Sequence, residues 1–175
     1  GGDILPSFGL SQEGEIDFIN DYLVKNLLQL RVHLKDKYPR IFIIMGNDDP
    51  RIEEHAIKKA EETGLWEYVH FRKIIYGNYK IFGYSYIPPT PFLLKDWEKY
   101  DVSVFVDPGC VHPTEGHRSV SPLEDITFTN IKKDLEKLKE DCDMSNSVFL
   151  FHSPPYRTYL DRADLDDKMI DYVPL

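Results

Sequence analysis

Ile16, Ile19, Leu23, Leu27, Leu30 and Leu34 recur at spacings of three and four, which puts them on one face and predicts a helix over residues 15–37. Tyr38-Pro39 ends it, because the residue before a proline is driven out of the helical region. Residues 41–45 (Ile-Phe-Ile-Ile-Met) form a short continuous apolar run, which predicts a strand buried on both faces. After the polar loop Gly46-Asn47-Asp48-Asp49-Pro50, a second helix is predicted over 52–63, with Gly64 at its C-terminal end. Two β-rich runs, 69–76 and 79–86, flank Gly77-Asn78 and predict a hairpin. Pro88, Pro89 and Pro91 interrupt regular structure, and residues 95–100 are read as a short helical turn. The alternating Val102, Val104 and Val106 predict a strand over 102–106, and a long Pro/Gly-containing loop follows over 107–125. The pattern closes with a helix over 128–141, carrying Ile131, Leu135 and Leu138 inward, and a buried strand over 147–151 that runs into His152-Ser153-Pro154-Pro155.

Apolar strands that end in polar loops and continue into helices define an α/β organisation, in which sites form at the carboxyl ends of the strands. The length of 175 residues, with 42% hydrophobic, is enough for one core, so residues 1–175 are expected to form a single domain or its central portion. The net charge of -9 argues against a general nucleic-acid binder but leaves room for a small phosphorylated substrate, since a bound cation inverts a local field. Two cysteines, Cys110 and Cys142, are too few for a disulfide scaffold and are expected to be reduced thiols. With no membrane-spanning run and no signal peptide at the start, the chain is expected to be cytoplasmic and to have no membrane partner. The oligomeric state is not encoded in these patterns.

Three short segments fall where strands would end: Gly1-Gly2-Asp3, Gly46-Asn47-Asp48-Asp49 and His152-Ser153-Pro154-Pro155. They offer a carboxylate, an amide oxygen beside carboxylates, and an imidazole. Such a mixed oxygen and nitrogen set suits Mn, Fe or Zn better than Ca. Each segment alone also has a plainer reading: a turn at Gly2-Asp3, a helix cap at Asp49 and a hydrogen-bonded loop histidine at 152.

Together and in this order, the segments resemble the calcineurin-like metallophosphoesterase superfamily, whose pattern runs Asp-x-His, Gly-Asp, Gly-Asn-His-Asp/Glu, a single His after a strand, and Gly-His-x-His. Gly2-Asp3 matches the second block, Gly46-Asn47-Asp48-Asp49 the third and His152 the fourth; residues 83–92 with Lys95-Asp96-Trp97-Glu98 resemble a predicted-phosphoesterase branch. The resemblance implies a four-layer sandwich of two β-sheets flanked by helices. It also implies hydrolysis of a phosphomonoester or phosphodiester by a hydroxide bridging two divalent ions. Asp3 is implied as the bridging carboxylate, and Asn47 and His152 as ligands of the second metal. Asp48 stands where the family has a catalytic His, so its role divides between acid, water-orienting group and bystander. The first and last blocks are absent from these residues, because Gly116-His117-Arg118-Ser119 precedes His152 and ends in Ser. The 175 residues are therefore expected to be incomplete at both ends or a degenerate relative, to hold at most one ion weakly and to lack measurable activity by themselves. A noncatalytic binding module is the alternative reading. Weaker substrate-binding candidates are Arg157, among the acidic Asp161, Asp164, Asp166 and Asp167, and His112 and His117, which lie with Asp107 and Glu115 in a loop that could line an entrance.

Overall fold

The computed structural model describes residues 1–6, 17–122, 126–165 and 168–171, the last two strands by their backbone alone. Ile16, Asp166, Asp167 and the chain end at 172–175 lie outside the described residues, as do 123–125 of the long loop. The described residues mix α and β structure: three α-helices with two-, three- and two-stranded sheets. None of the described helices is long and apolar enough to cross a membrane.

The first helical segment opens as a π turn over Phe18–Val24, capped by the Asp17 carboxylate on the Asn20 N–H, and continues as α1 over Lys25–Leu34. It closes in a 3-10 turn over Lys35–Lys37, in front of Tyr38-Pro39 as the sequence predicts. Its apolar face is used unevenly. Ile19 is buried and Leu23, Val24 and Leu27 pack on the core, whereas Leu30 is exposed, so the outer half of α1 leaves the core.

Strand β1 (Phe42–Ile43) pairs in parallel with β2 (Glu67–Tyr68), a two-residue strand too short to be predicted from periodicity. The bonds from the Glu67 N–H to the Ile41 oxygen and from the Val69 N–H to the Ile43 oxygen lengthen the pairing on both sides. The run over 41–45 is buried on both faces, as expected. Ile41, Ile43 and Met45 enter one core cluster with Ile57, Trp66, Tyr84 and Trp97, while Phe42 and Ile44 enter a second with Val69, Ile74 and Ile81. Between β1 and β2 lie a 3-10 turn at Arg51–Glu53 and helix α2 (Glu54–Glu61), which buries Ile57 and Ala60.

The strand expected over 69–76 breaks at Phe71, whose φ is 54°, and resumes as β3 (Arg72–Tyr76). The predicted hairpin is present. β3 runs antiparallel to β4 (Tyr79–Tyr84), with Tyr76 opposite Tyr79 across the turn and Gly77 at φ 58°, the left-handed region that a first-position glycine supplies in a two-residue loop. β5 (Ser147–Phe151) then joins the other edge of β4 in parallel. It is not the fully buried strand expected, since Val148 and Phe149 stay exposed along a sheet edge.

Residues 102–106 alternate without forming a strand. Val102, Val104 and Phe105 are exposed, and the Ser103 hydroxyl takes the Phe105 N–H, a local bond that competes with a ladder. Helix α3 begins later than predicted, at Ile131–Leu138, because Asn130 caps it by accepting the Lys133 N–H at 2.9 Å. The antiparallel pair β6 (Arg162–Leu165) and β7 (Lys168–Asp171) follows, which the sequence pattern does not predict.

Candidate metal centre

The loop after β1 and the segment over residues 1–5 are bound together by one buried carboxylate. Asp49 accepts the Gly46 N–H at 2.8 Å, the Leu5 N–H at 2.7 Å and the Ile4 N–H at 3.1 Å. Burial pushes its carboxyl up, against the downward pull of those N–H groups. The helix cap expected of Asp49 is supplied from elsewhere: Asp96 takes the Arg51 N–H at 2.7 Å and the Ser119 hydroxyl takes the Ile52 N–H at 2.9 Å. Asp96 also holds the Ser119 N–H and hydroxyl, and the Trp97 indole N–H donates to the Asp49 carbonyl at 2.8 Å. Asp49, Asp96 and Trp97 are fully buried, so the loop rests on a rigid polar foundation. The structural part played by Asp96 and Trp97 leaves no trace in hydropathy, since a charged Lys-Asp-Trp-Glu run reads as surface.

On that foundation Asp3, Asn47 and His152 converge. The His152 Nε2 lies 2.8 Å from Asn47 Oδ1 and 3.3 Å from Asp3 Oδ2, while Nδ1 lies 2.9 Å from the Gly1 carbonyl oxygen. Asp48 steadies two of the three. Its N–H donates to Asp3 Oδ1 at 3.0 Å, and its Oδ1 accepts the Asn47 Nδ2 at 3.1 Å, which fixes the amide with its oxygen toward His152. The close approach depends on glycine. A Cβ on Gly46 would press on the Asp3 backbone nitrogen and the His152 ring, and one on Gly2, at φ 100°, on His152 and the Gly46 backbone. Asp3 itself is at φ 50°, a conformation that Asp tolerates better than most residues.

The protonation arithmetic bears on a cation. Oxygens that only accept face both ring nitrogens of His152, the Gly1 carbonyl at Nδ1 and the Asn47 and Asp3 oxygens at Nε2, so a neutral ring donates to one side only. With that proton on Nδ1, Nε2 would turn a lone pair on an amide oxygen and a carboxylate oxygen. Three electron-pair donors in such reach are relieved by a second proton on the ring or by a metal ion. An imidazole, an amide oxygen and a carboxylate are of the donor type that a borderline divalent ion takes. Asp3 is 41% exposed and His152 15%, which leaves an open side for solvent or substrate. Among the described residues no group of three or more His, Cys, Asp and Glu side chains stands ready for a metal; the cluster has two of these, with an amide as its third donor.

The weaker candidates stand elsewhere. His112 Nδ1 is 3.2 Å from the Tyr100 hydroxyl. His117 is bound through its backbone to Leu93 and Lys95, with its side chain exposed. Arg157, at φ 59°, lays its guanidinium over Tyr156 at 5.2 Å. No hydrogen bond or ion pair joins His112 or His117 to the cluster among the described residues. Cys110 and Cys142 are free, and burial pushes the Cys110 thiol up, away from the thiolate that a nucleophile needs. Comparison with protein-family models, with curated proteins and with solved structures finds no match to this chain.

Proposed function

We propose that the chain is a metal-dependent phosphoesterase of the calcineurin-like kind, acting in the cytoplasm on a small phosphorylated substrate, with its sheets belonging to the four-layer sandwich of that class. One observation carries the reading: Nε2 of the His152 imidazole lies 2.8 Å from the amide oxygen of Asn47 and 3.3 Å from the carboxylate of Asp3.

A divalent ion of the Mn, Fe or Zn type bound there supplies positive charge to phosphoryl oxygens and acidifies water. The residues supply its setting. With an ion on Nε2, the Gly1 carbonyl would hold the proton on His152 Nδ1, a role that ordinarily sharpens a ligand's orientation and basicity. Asp48 holds the Asp3 carboxylate through its N–H and the Asn47 amide through its side chain, so a positioning role for Asp48 suits the geometry better than proton donation to a leaving group. A two-ion arrangement requires further ligands beyond these three.

The test is hydrolysis of an aryl phosphodiester by the full-length chain with added Mn²⁺, Fe²⁺ or Zn²⁺. Asp3→Ala, Asn47→Ala and His152→Ala should each abolish turnover, while His112→Ala and His117→Ala keep it. Turnover that survives all three ligand changes would sink the reading. The alternative, a noncatalytic binding module, is favoured by the small donor set; it predicts metal binding by the full-length chain with no hydrolysis.

A further inference from the structure

We propose that the chain pairs with a second copy of itself through the open edge of β5, two antiparallel β5 strands joining their sheets about a two-fold axis at Phe149. β5 ends the sheet β3-β4-β5, so one side of it carries no strand among the described residues. The ladder to β4 decides which backbone groups face out. The Lys80 N–H donates to the Asn146 carbonyl at 2.9 Å, and the parallel register continues with Phe82 beside Phe149 and Tyr84 beside Phe151. Alternate residues of a strand bond to a given neighbour. Residues 146, 148 and 150 therefore turn their N–H and carbonyl groups to β4, and Ser147, Phe149 and Phe151 turn theirs outward. Among the described residues nothing meets these outward groups.

The other edge of the same sheet is guarded. Arg72 and Lys73 put charge on β3, the chain breaks at Phe71 with φ 54°, and the Arg40 guanidinium donates to the Ile75 carbonyl at 3.4 Å. β5 has none of these devices. Ser147-Val148-Phe149-Leu150-Phe151 carries no charge, no proline and no bulge, and Val148 and Phe149 are 43% and 39% exposed. In a chain of net charge -9, an uncharged edge is where two copies can approach. The edge also matches itself. With Phe149 opposite Phe149 of the second copy, Ser147 falls opposite Phe151, so outward residues meet only outward residues and each N–H meets a carbonyl. A slip of one residue sets outward groups against groups already bonded to β4, and a slip of two leaves Phe151 without a partner. The faces agree as well. Phe149 stacks on Phe82 at 4.9 Å and on Phe151 at 5.3 Å, and that row of rings continues into its copy. On the other face Leu150 packs on Ile44, Val69, Ile74 and Ile81, and Val148 of the second copy comes beside it. Main-chain bonds supply the affinity and the side-chain rows the register. The inference uses no side chain of the metal cluster and does not rest on the metal reading.

The test is sedimentation velocity of the full chain up to about 0.5 mM, in EDTA so that no ion bridges copies, beside amide hydrogen exchange over the same range. A concentration-dependent dimer is expected, with nothing larger, because the two-fold contact uses up the edge. Val148→Lys keeps its backbone on the β4 ladder and sets a charge beside Leu150 of the second copy; it should weaken the dimer at least about tenfold. Ile75→Lys, on β3, should leave it unchanged. In the parent the amides of Phe149 and Phe151 should exchange more slowly as concentration rises, while that of Val148, already bonded to β4, stays constant; this reading needs no variant to fold. A monomer at every concentration would overturn the proposal, and slow Phe149 and Phe151 amides in that monomer would mean that the chain's own residues cover the edge. Open-ended assembly, a dimer indifferent to Val148→Lys, or one lost in Ile75→Lys would overturn it too.

Discussion

Asp48 shows how much a single loop residue can hold in place. Its carboxylate meets the Asn47 Nδ2, and its N–H meets Asp3 Oδ1, so it acts on two of the three proposed ligands at once. Asp48→Asn keeps an acceptor for that amide, and metal affinity should stay within about tenfold of the parent. Asp48→Ala removes the acceptor and should cost the ~10–100-fold typical of lost outer partners. Calorimetric Mn²⁺ titration of both variants checks this; a large loss in Asp48→Asn would point to a charge requirement instead. That Asp3, Asn47 and His152 meet was legible in the sequence because the short Gly-Asp, Gly-Asn-Asp and strand-His segments fall where strands end, beside glycines that let the backbone approach. The role of Asp49 was not. A helix cap and a clamp on residues 4 and 5 use the same carboxylate, and only tertiary structure decides which backbone N–H groups reach it.

Helices and strands were most legible where a local rule set them. The hairpin turn at Gly77-Asn78, the stop at Tyr38-Pro39 and the strand over 41–45 follow from backbone chemistry and from burial on two faces. The short β2 and the non-strand over 102–106 depend on whether a partner strand lies alongside, which periodicity does not encode. The start of α3 is set by Asn130, and here the claim is quantitative. Asn130→Ala should lower stability by about 1 kcal/mol, read as a lower urea midpoint with an unchanged slope, whereas Lys133→Ala, which keeps the cap's backbone N–H, should cost less.

At the scale of the whole molecule, the core imposes a pH dependence. His70 stands among the rings of Tyr68, Phe71, Tyr84, Tyr86 and Trp97, and its Nδ1 accepts the Ser85 N–H at 3.0 Å. Burial, then the nearby Arg51, Lys58 and Lys99 charges, hold its imidazole down at about 3, against an ordinary 6.5. Between those values the unfolded chain takes a proton that the folded chain refuses. This contribution therefore lowers stability as the pH falls from 6.5 toward 3, by up to about 1.4 kcal/mol per pH unit, and is silent above neutrality. Urea unfolding at several pH values should show the slope in the parent and a shallower one in His70→Gln; equal slopes would contradict it. The account's central claim, however, is that residues 3, 47 and 152 form a site for one divalent ion, and the most direct measurement is Mn²⁺ binding by these 175 residues, followed by the loss of the free-ion electron spin resonance signal. The account predicts one weakly held ion per chain, lost in Asn47→Ala and in His152→Ala and retained in His112→Ala. Binding that is absent from the parent, or that persists unchanged in His152→Ala, would contradict it.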